Sequence, residues 1–382
     1  MTPSQRVPFY DIRAQYEELS AELDAVTHAV ISSGIYTISG GQENPGFERE
    51  FAEFHGVRHA IAVHSGTDAL RIIMDAAGIG PGDEVITTAF TFVASTETIV
   101  QTGATPVFAD LDPRTFMLDP EAVEAAITPR TKAILPVHLF GQMADMGAIN
   151  AIAERHGLIV LEDAAQAVEC RQSGTLAGNF GLAAGFSFYV TKNLGAAGDG
   201  GMIVTNDDGI AERCRSMRVH GMGRERYYYD HLGYTARLDE IQAAVLRVKM
   251  RVLPAWTARR AKIAETYLRE LAAVPSLTLP AVAPGNTMTW HQFSILVGER
   301  GSDERDRLQL HLKERGIDSM VYYPVPIHFH APYERFGGGK GSLPVTESVS
   351  ERILALPVHP HLSAEAAAYV VENVRSFATA NV

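Results

Sequence analysis

Apolar runs of two kinds alternate through the first 250 residues of this chain. Within Thr67–Ala77, the residues Leu70, Ile73, Met74 and Ala77 recur at intervals of three and four, the spacing of a helix that buries one face. The same reading predicts helices over Gln15–Ile31, closed by Ser32-Ser33-Gly34, and over Phe47–His55, Phe92–Thr102, Glu121–Ile127 and Met146–His156. Between them lie short, apolar, strand-like runs at Ala60–His64, Glu84–Thr88, Thr105–Ala109, Lys132–Val137, Leu158–Glu162 and Ala183–Val190. Short apolar runs separated by helices predict an α/β fold whose mostly parallel sheet is covered on both faces.

The pattern changes near residue 250. Arg237–Arg251 reads as one helix, Pro254 and Trp256 follow, and Thr257–Ala272 reads as another. Beyond a stretch containing Pro275, Pro280 and Pro284, Gln292–Val297 reads as a strand. The expectation is a large domain over 1–250 and a smaller C-terminal α+β domain over 251–382. There is no internal repeat and no low-complexity tract.

Composition narrows the function classes. The 382 residues suffice for two domains, and 46% hydrophobic with 20% charged residues is ordinary globular usage. A net charge of −12 argues against a nucleic-acid or membrane-surface role, while leaving room for a local anion site built from backbone N–H groups. Two cysteines, Cys170 and Cys214, make no disulfide framework. Met1–Tyr10 lacks a signal pattern and no apolar run approaches the roughly 20 residues of a membrane helix, so a soluble cytoplasmic protein is expected.

The chemistry centres on Lys192. The run Ala183–Val190 stops at Thr191-Lys192-Asn193-Leu194-Gly195 and a glycine-rich loop, which suits an amine that must meet a carbonyl. Four other segments supply partners. His64-Ser65-Gly66-Thr67 turns from a strand into a hydroxyl-capped helix, an anion cradle in which Asp68 must point away. Leu161-Glu162-Asp163-Ala164-Ala165-Gln166 ends a strand where open α/β sheets place ligands: Asp163 can pair with a pyridine nitrogen and Gln166 with a phenolic oxygen. Phe90 can stack on a ring, and Ser187 can bind phosphate through its hydroxyl. Together these form a site for pyridoxal 5'-phosphate.

Ser65-Gly66-Thr67, Glu162-Asp163-Ala164-Ala165-Gln166, Ser187-Phe188-Tyr189 with Thr191-Lys192-Asn193-Leu194-Gly195, and Asp199-Gly200-Gly201 resemble the signature of the DegT/DnrJ/EryC1/StrS sugar aminotransferases. Gly233-Tyr234-Thr235-Ala236-Arg237-Leu238-Asp239-Glu240 is similar to that family's dimer-contact segment. The resemblance implies a fold-type-I, aspartate-aminotransferase-like protein, a homodimer with shared active sites. It implies Lys192 as the Schiff-base lysine and acid/base, and Asp163 at the pyridine nitrogen. Gln166 would meet the phenolic oxygen, Phe90 the ring face, and Gly66, Thr67 and Ser187 the phosphate. Thr235, where the family usually has Asn, would reach the partner's phosphate. Val168-Glu169 stands where many members have His-Gly. The implied reaction carries an amino group from glutamate to a 3- or 4-keto nucleotide-linked deoxysugar, with Tyr323 and His328 near the sugar. A cyclitol aminotransferase, a sugar dehydratase and a non-catalytic cofactor-binding regulator are the alternatives; the retained lysine argues against the dehydratase. His328-x-His330 and His359-x-His361 have no accompanying ligand cluster and are not read as a metal site. Gly337–Ser342 departs from the P-loop pattern and reads as a surface loop. Tyr227-Tyr228-Tyr229 can line a sugar pocket or serve as a dimer contact, and contact is favoured.

Overall fold

A computed structural model describes residues 6–299 and 301–380. The first five residues of the Met1–Tyr10 segment, and the outer ends of the expected 1–250 and 251–382 units, lie outside it.

Thirteen strands occur among the described residues. In chain order they are β1 (His59–Val63), β2 (Glu84–Thr88), β3 (Thr105–Ala109), β4 (Thr131–Ile134), β5 (Ile159–Asp163), β6 (Arg171–Gln172) and β7 (Thr175–Leu176). They continue with β8 (Ala183–Ser187), β9 (Gly201–Thr205), β10 (Leu277–Thr278), β11 (Asn286–Thr287), β12 (Phe293–Val297) and β13 (Ile353–Leu356). Seven build the central sheet in the order β1-β9-β8-β5-β4-β2-β3. The pairings from β8 through β5, β4 and β2 to β3 are parallel, and β9 runs antiparallel to both β8 and β1.

Side chains alternate across this sheet and feed two cores. Ala62, Ile86, Ile134, Val160 and Phe186 join one, with Phe47, Phe51 and Leu246 from helices. Ile61, Val63, Val85, Leu161 and Ile203 join the other, with Leu70 and Ile73 from the helix Gly66–Ala76. Burial on both faces explains why these strands read as uniformly apolar. The mixed, mostly parallel sheet with flanking helices is the expected fold class.

Two elements depart from the sequence reading. Strand β9 was not anticipated: its Met202-Ile203-Val204 run is apolar, but it opens on Gly201 and follows the glycine-rich loop directly. The two helices expected around Pro254 are one helix, Glu240–Leu271. Pro254, which leaves the Met250 carbonyl without its helical N–H partner, is itself exposed. Leu253, Trp256 and Arg260 are buried on the opposite side, and the Trp256 indole N–H donates to Glu18 at 3.1 Å. Packing therefore outweighs the lost bond. Beyond this helix, β10, β12 and β13 form a three-stranded antiparallel sheet, against which the helix Asp303–Glu314 packs; the helix Ala364–Ala380 packs on that helix and on Glu240–Leu271.

Candidate active site

The carboxyl ends of β5 and β8 and the start of the helix Gly66–Ala76 converge on one cavity of about 680 Å³, within the range of small-molecule sites. Gly66, Thr67, Asp163, Gln166, Ser187, Lys192 and Tyr323 all line it. Thus segments separated by more than a hundred residues in the chain meet where the sequence places them.

The helix start forms the anion cradle. Ser65 caps it: its Oγ accepts from Asp68 N at 3.0 Å and donates to Asp68 Oδ2 at 2.9 Å, which ties the Asp68 carboxylate to the cap. Ala69 N bonds the Ser65 carbonyl, and among the described residues the N–H groups of Gly66 and Thr67 have no partner. Glycine at 66 is a packing requirement. A Cβ there would sit 2.7 Å from the Ser187 Cβ, so its absence lets the helix start close on the Ser187 hydroxyl. Free N–H groups, a positive helix end and a hydroxyl are the donor set a phosphate needs.

Asp163 ends β5, fully withdrawn from solvent. Its Oδ2 accepts from Ser95 Oγ at 2.7 Å and its Oδ1 from Ala165 N at 3.1 Å. Burial raises its pKa, opposed by the Ser95 and Ala165 hydrogen bonds and by the charge of Lys192. Burial likewise lowers the Lys192 ammonium to about 8, opposed by Asp163. A carboxylate held in a dry wall with open space before it suits a protonated ring nitrogen, which would return it to its charged form. The cradle, this carboxylate and the amine fit pyridoxal phosphate. Gln166 Oε1 accepts from Phe140 N at 2.7 Å, and its Nε2 donates to the Tyr323 hydroxyl at 3.4 Å, so its amide is oriented before any ligand arrives.

Behind Asp163 lies a second buried pair. Glu162 Oε2 meets His138 Nε2 at 3.0 Å and accepts from Gly178 N, while its Oε1 accepts from Phe180 N and Gly181 N. Those bonds hold its carboxyl below its ordinary pKa against the effect of burial.

The lysine loop is tied down from three sides. Lys249 Nζ donates to the Gly195 carbonyl at 2.8 Å, Gln242 Oε1 accepts from Ala197 N at 2.8 Å, and Asn193 Nδ2 donates to the Thr289 carbonyl at 3.0 Å.

Three expected site residues stand elsewhere. Phe90 does not line the cavity: it is fully buried, edge-on to Phe140 and Tyr323. Phe92, two positions on and 58% exposed, lines it instead. His328 is also outside the cavity, buried beside Phe108 and 3.5 Å from Glu347. Thr235 is exposed, with its Oγ1 3.1 Å from His220 Nε2, and reaches no part of this cavity. Ser95, Tyr10, Phe92, His291 and Gln292, which line the cavity, were missed by the sequence reading. The second aromatic in Phe90-Thr91-Phe92 was the one available signal. Among the described residues, no group of three or more His, Cys, Asp or Glu side chains is placed to hold a metal.

Comparison with known proteins agrees with this geometry. The model of the DegT/DnrJ/EryC1/StrS aminotransferase family matches residues 17–375. A pleiotropic regulatory protein of Geobacillus stearothermophilus is 48% identical, over 97% of this chain and 98% of its own. A dTDP-3-amino-3,4,6-trideoxy-alpha-D-glucose transaminase of Streptomyces venezuelae is 46% identical, over 98% and 96%. The crystal structure of S. venezuelae DesV, in complex with a ketimine intermediate, superposes with a TM-score of 0.93 at 46% identity, covering 98% of both chains.

Proposed function

The chain belongs to the DegT/DnrJ/EryC1/StrS family of pyridoxal-phosphate-dependent sugar aminotransferases, and from that premise we propose that it moves an amino group from glutamate to a 3- or 4-keto deoxysugar carried on a nucleotide. The observation that carries this reading is the convergence of Lys192, Asp163 and the Gly66-Thr67-Ser187 cradle on one cavity.

When bound, pyridoxal phosphate supplies a carbonyl for amines and an electron sink for the reacting carbon. The chain's residues do the rest. The N–H groups of Gly66 and Thr67 and the Ser187 hydroxyl bind the phosphate. Asp163 holds the proton at the ring nitrogen, and Gln166 donates to the phenolic oxygen. Phe92, in place of Phe90, covers the ring face. Lys192 Nζ would take the proton from the α-carbon of the amino donor and hand it to the cofactor carbon that keeps the amino group; a pKa of about 8 leaves a neutral fraction near physiological pH. Tyr323, its hydroxyl in the cavity wall, meets the sugar. Thr235 reaches a second copy, in a homodimer whose exposed Tyr227, Tyr228 and Tyr229 are contact residues. The residues 1–250 carry the cofactor site as one domain and 251–382 form a smaller one.

The test is amine formation, read by mass, when the cofactor-loaded protein meets glutamate and a panel of 3- and 4-keto nucleotide sugars. Lys192→Ala is expected to lose turnover and the visible band of the lysine-bound cofactor. A wild-type protein that takes up no cofactor sinks the reading. The name of the Geobacillus relative keeps a regulatory role as a second reading; conversion of the cofactor band by glutamate, followed by sugar amination, would rule out a regulator that has lost turnover.

A further inference from the structure

Asn193 follows the reactive lysine, and its amide has one workable orientation. Nδ2 donates to the Thr289 carbonyl at 3.0 Å, so Oδ1 faces His291 Nδ1 at 3.2 Å. An amide oxygen only accepts, so Nδ1 carries the proton, and in a neutral imidazole Nε2 is then a bare acceptor. The ring is neutral: burial, with Lys192 and Arg260 nearby, holds its pKa well below the ordinary histidine value.

The acceptor is aimed at the site. His291 lines the cavity that holds Lys192 and Asp163. Among the described residues its Nε2 has no partner, yet it is not among the sealed polar atoms, as both ring nitrogens of His359 are. The backbone around it is fixed. Thr289 N donates to the Gly141 carbonyl at 2.9 Å, and buried Arg260 donates to the Trp290 carbonyl at 3.3 Å. Gly141, at φ +88, has to be glycine: a Cβ there would meet Thr289 Oγ1 at 2.7 Å and His291 N at 2.9 Å.

The two substrates offer this nitrogen different things. Glutamate, once its amine is engaged, presents carboxylates, which need N–H donors or cations. A sugar presents hydroxyls, which can donate. We propose that His291 is a specificity-determining residue of the sugar half of the reaction, its Nε2 accepting a hydrogen bond from a hydroxyl of the keto sugar. This rests on the sugar aminotransferase reading above.

The two half-reactions of the holoenzyme are measured separately. His291→Asn keeps a side-chain N–H near the Nδ1 position and loses Nε2. His291→Gln places a carbonyl oxygen near the Nε2 position and loses the Nδ1 donor. The Asn variant is expected to lose about 3- to 10-fold in kcat/KM for the sugar, through KM, with the same loss in nucleotide-sugar affinity by calorimetry. The Gln variant is expected to recover most of it, and both variants should keep the glutamate half-reaction within about twofold. Equal loss in both half-reactions, which would place His291 in proton transfer at Lys192, overturns the proposal. So does an Asn variant with wild-type sugar affinity, which would leave His291 as a prop for Asn193. If the wild-type enzyme aminates no keto sugar, the function reading fails, and calorimetry with the nucleotide sugar still decides the role of His291.

Discussion

Asp163 and Lys192 are each pushed by burial toward the uncharged form, yet each favours the charge of the other. A bound cofactor resolves that tension, since it brings both an anion for the cradle and a cation for the carboxylate. Lys192 and Asp163 were legible because glycine-rich and acidic segments at strand ends carry local signatures. Ser95 and His291 were not, because a serine inside a helix and a histidine after a tryptophan acquire meaning through partners 68 and 98 residues away. Phe90 was misplaced for a simpler reason: residues two apart would share a face in a strand, but the chain bends at Ala89–Thr91 beyond the end of β2, which buries Phe90 and leaves Phe92 exposed. The two phenylalanines therefore separate cleanly in experiment. Phe92→Ala should weaken cofactor binding by about 0.5–1.5 kcal/mol while leaving Tm nearly unchanged. Phe90→Ala should cost about 3–5 kcal/mol of stability in chemical denaturation.

At the level of elements, the helix Glu240–Leu271 does more than its sequence announces. Its Glu240 carboxylate accepts from Glu43 N at 2.7 Å and from Asn44 N at 3.2 Å, capping the neighbouring helix Glu43–His55. Its Lys249 is buried, without a carboxylate partner among the described residues, and burial lowers the ammonium to about 8. A lysine whose folded pKa lies below its unfolded value of 10.5 binds fewer protons folded than unfolded between those pH values. Stability therefore rises with pH across that window, and the cost of the buried charge is present in full below it. The stability of wild type minus that of Lys249→Met, from urea melts of the apoprotein, should climb by up to about 3 kcal/mol between pH 7 and 10.5. A flat difference would mean that water reaches this amine. The proline in this helix misled the sequence reading because propensity is local, whereas Trp256 and Arg260 tie the helix to Glu18 and to the carbonyls of Trp290 and Val358, far away in the chain.

For the whole molecule, the alternation of helix and strand gave six of the central sheet's seven strands, since burial on both faces leaves a plain apolar signal, and left out β9. The surface was harder. Leu232 is 93% exposed beside Tyr227, Tyr228 and Tyr229, an apolar cluster that in a monomer would face water. If a second copy covers it, Leu232→Asp should shift the sedimentation mass from twice 41.5 kDa toward 41.5 kDa and weaken cofactor retention. A wild type that sediments as a monomer would defeat the shared-site reading. The antiparallel strand β9 has a further effect, on the order in which the molecule assembles. Ser187 and Gly201, opposed in the β8–β9 ladder, are 14 residues apart in the chain (201 − 187), whereas the Ala62↔Met202 pairing spans 140 (202 − 62). Short loops close at lower entropic cost than long ones. The segment bearing Lys192 is therefore the part of the site that local contacts can fasten first, and the helix start at Gly66 must come to it.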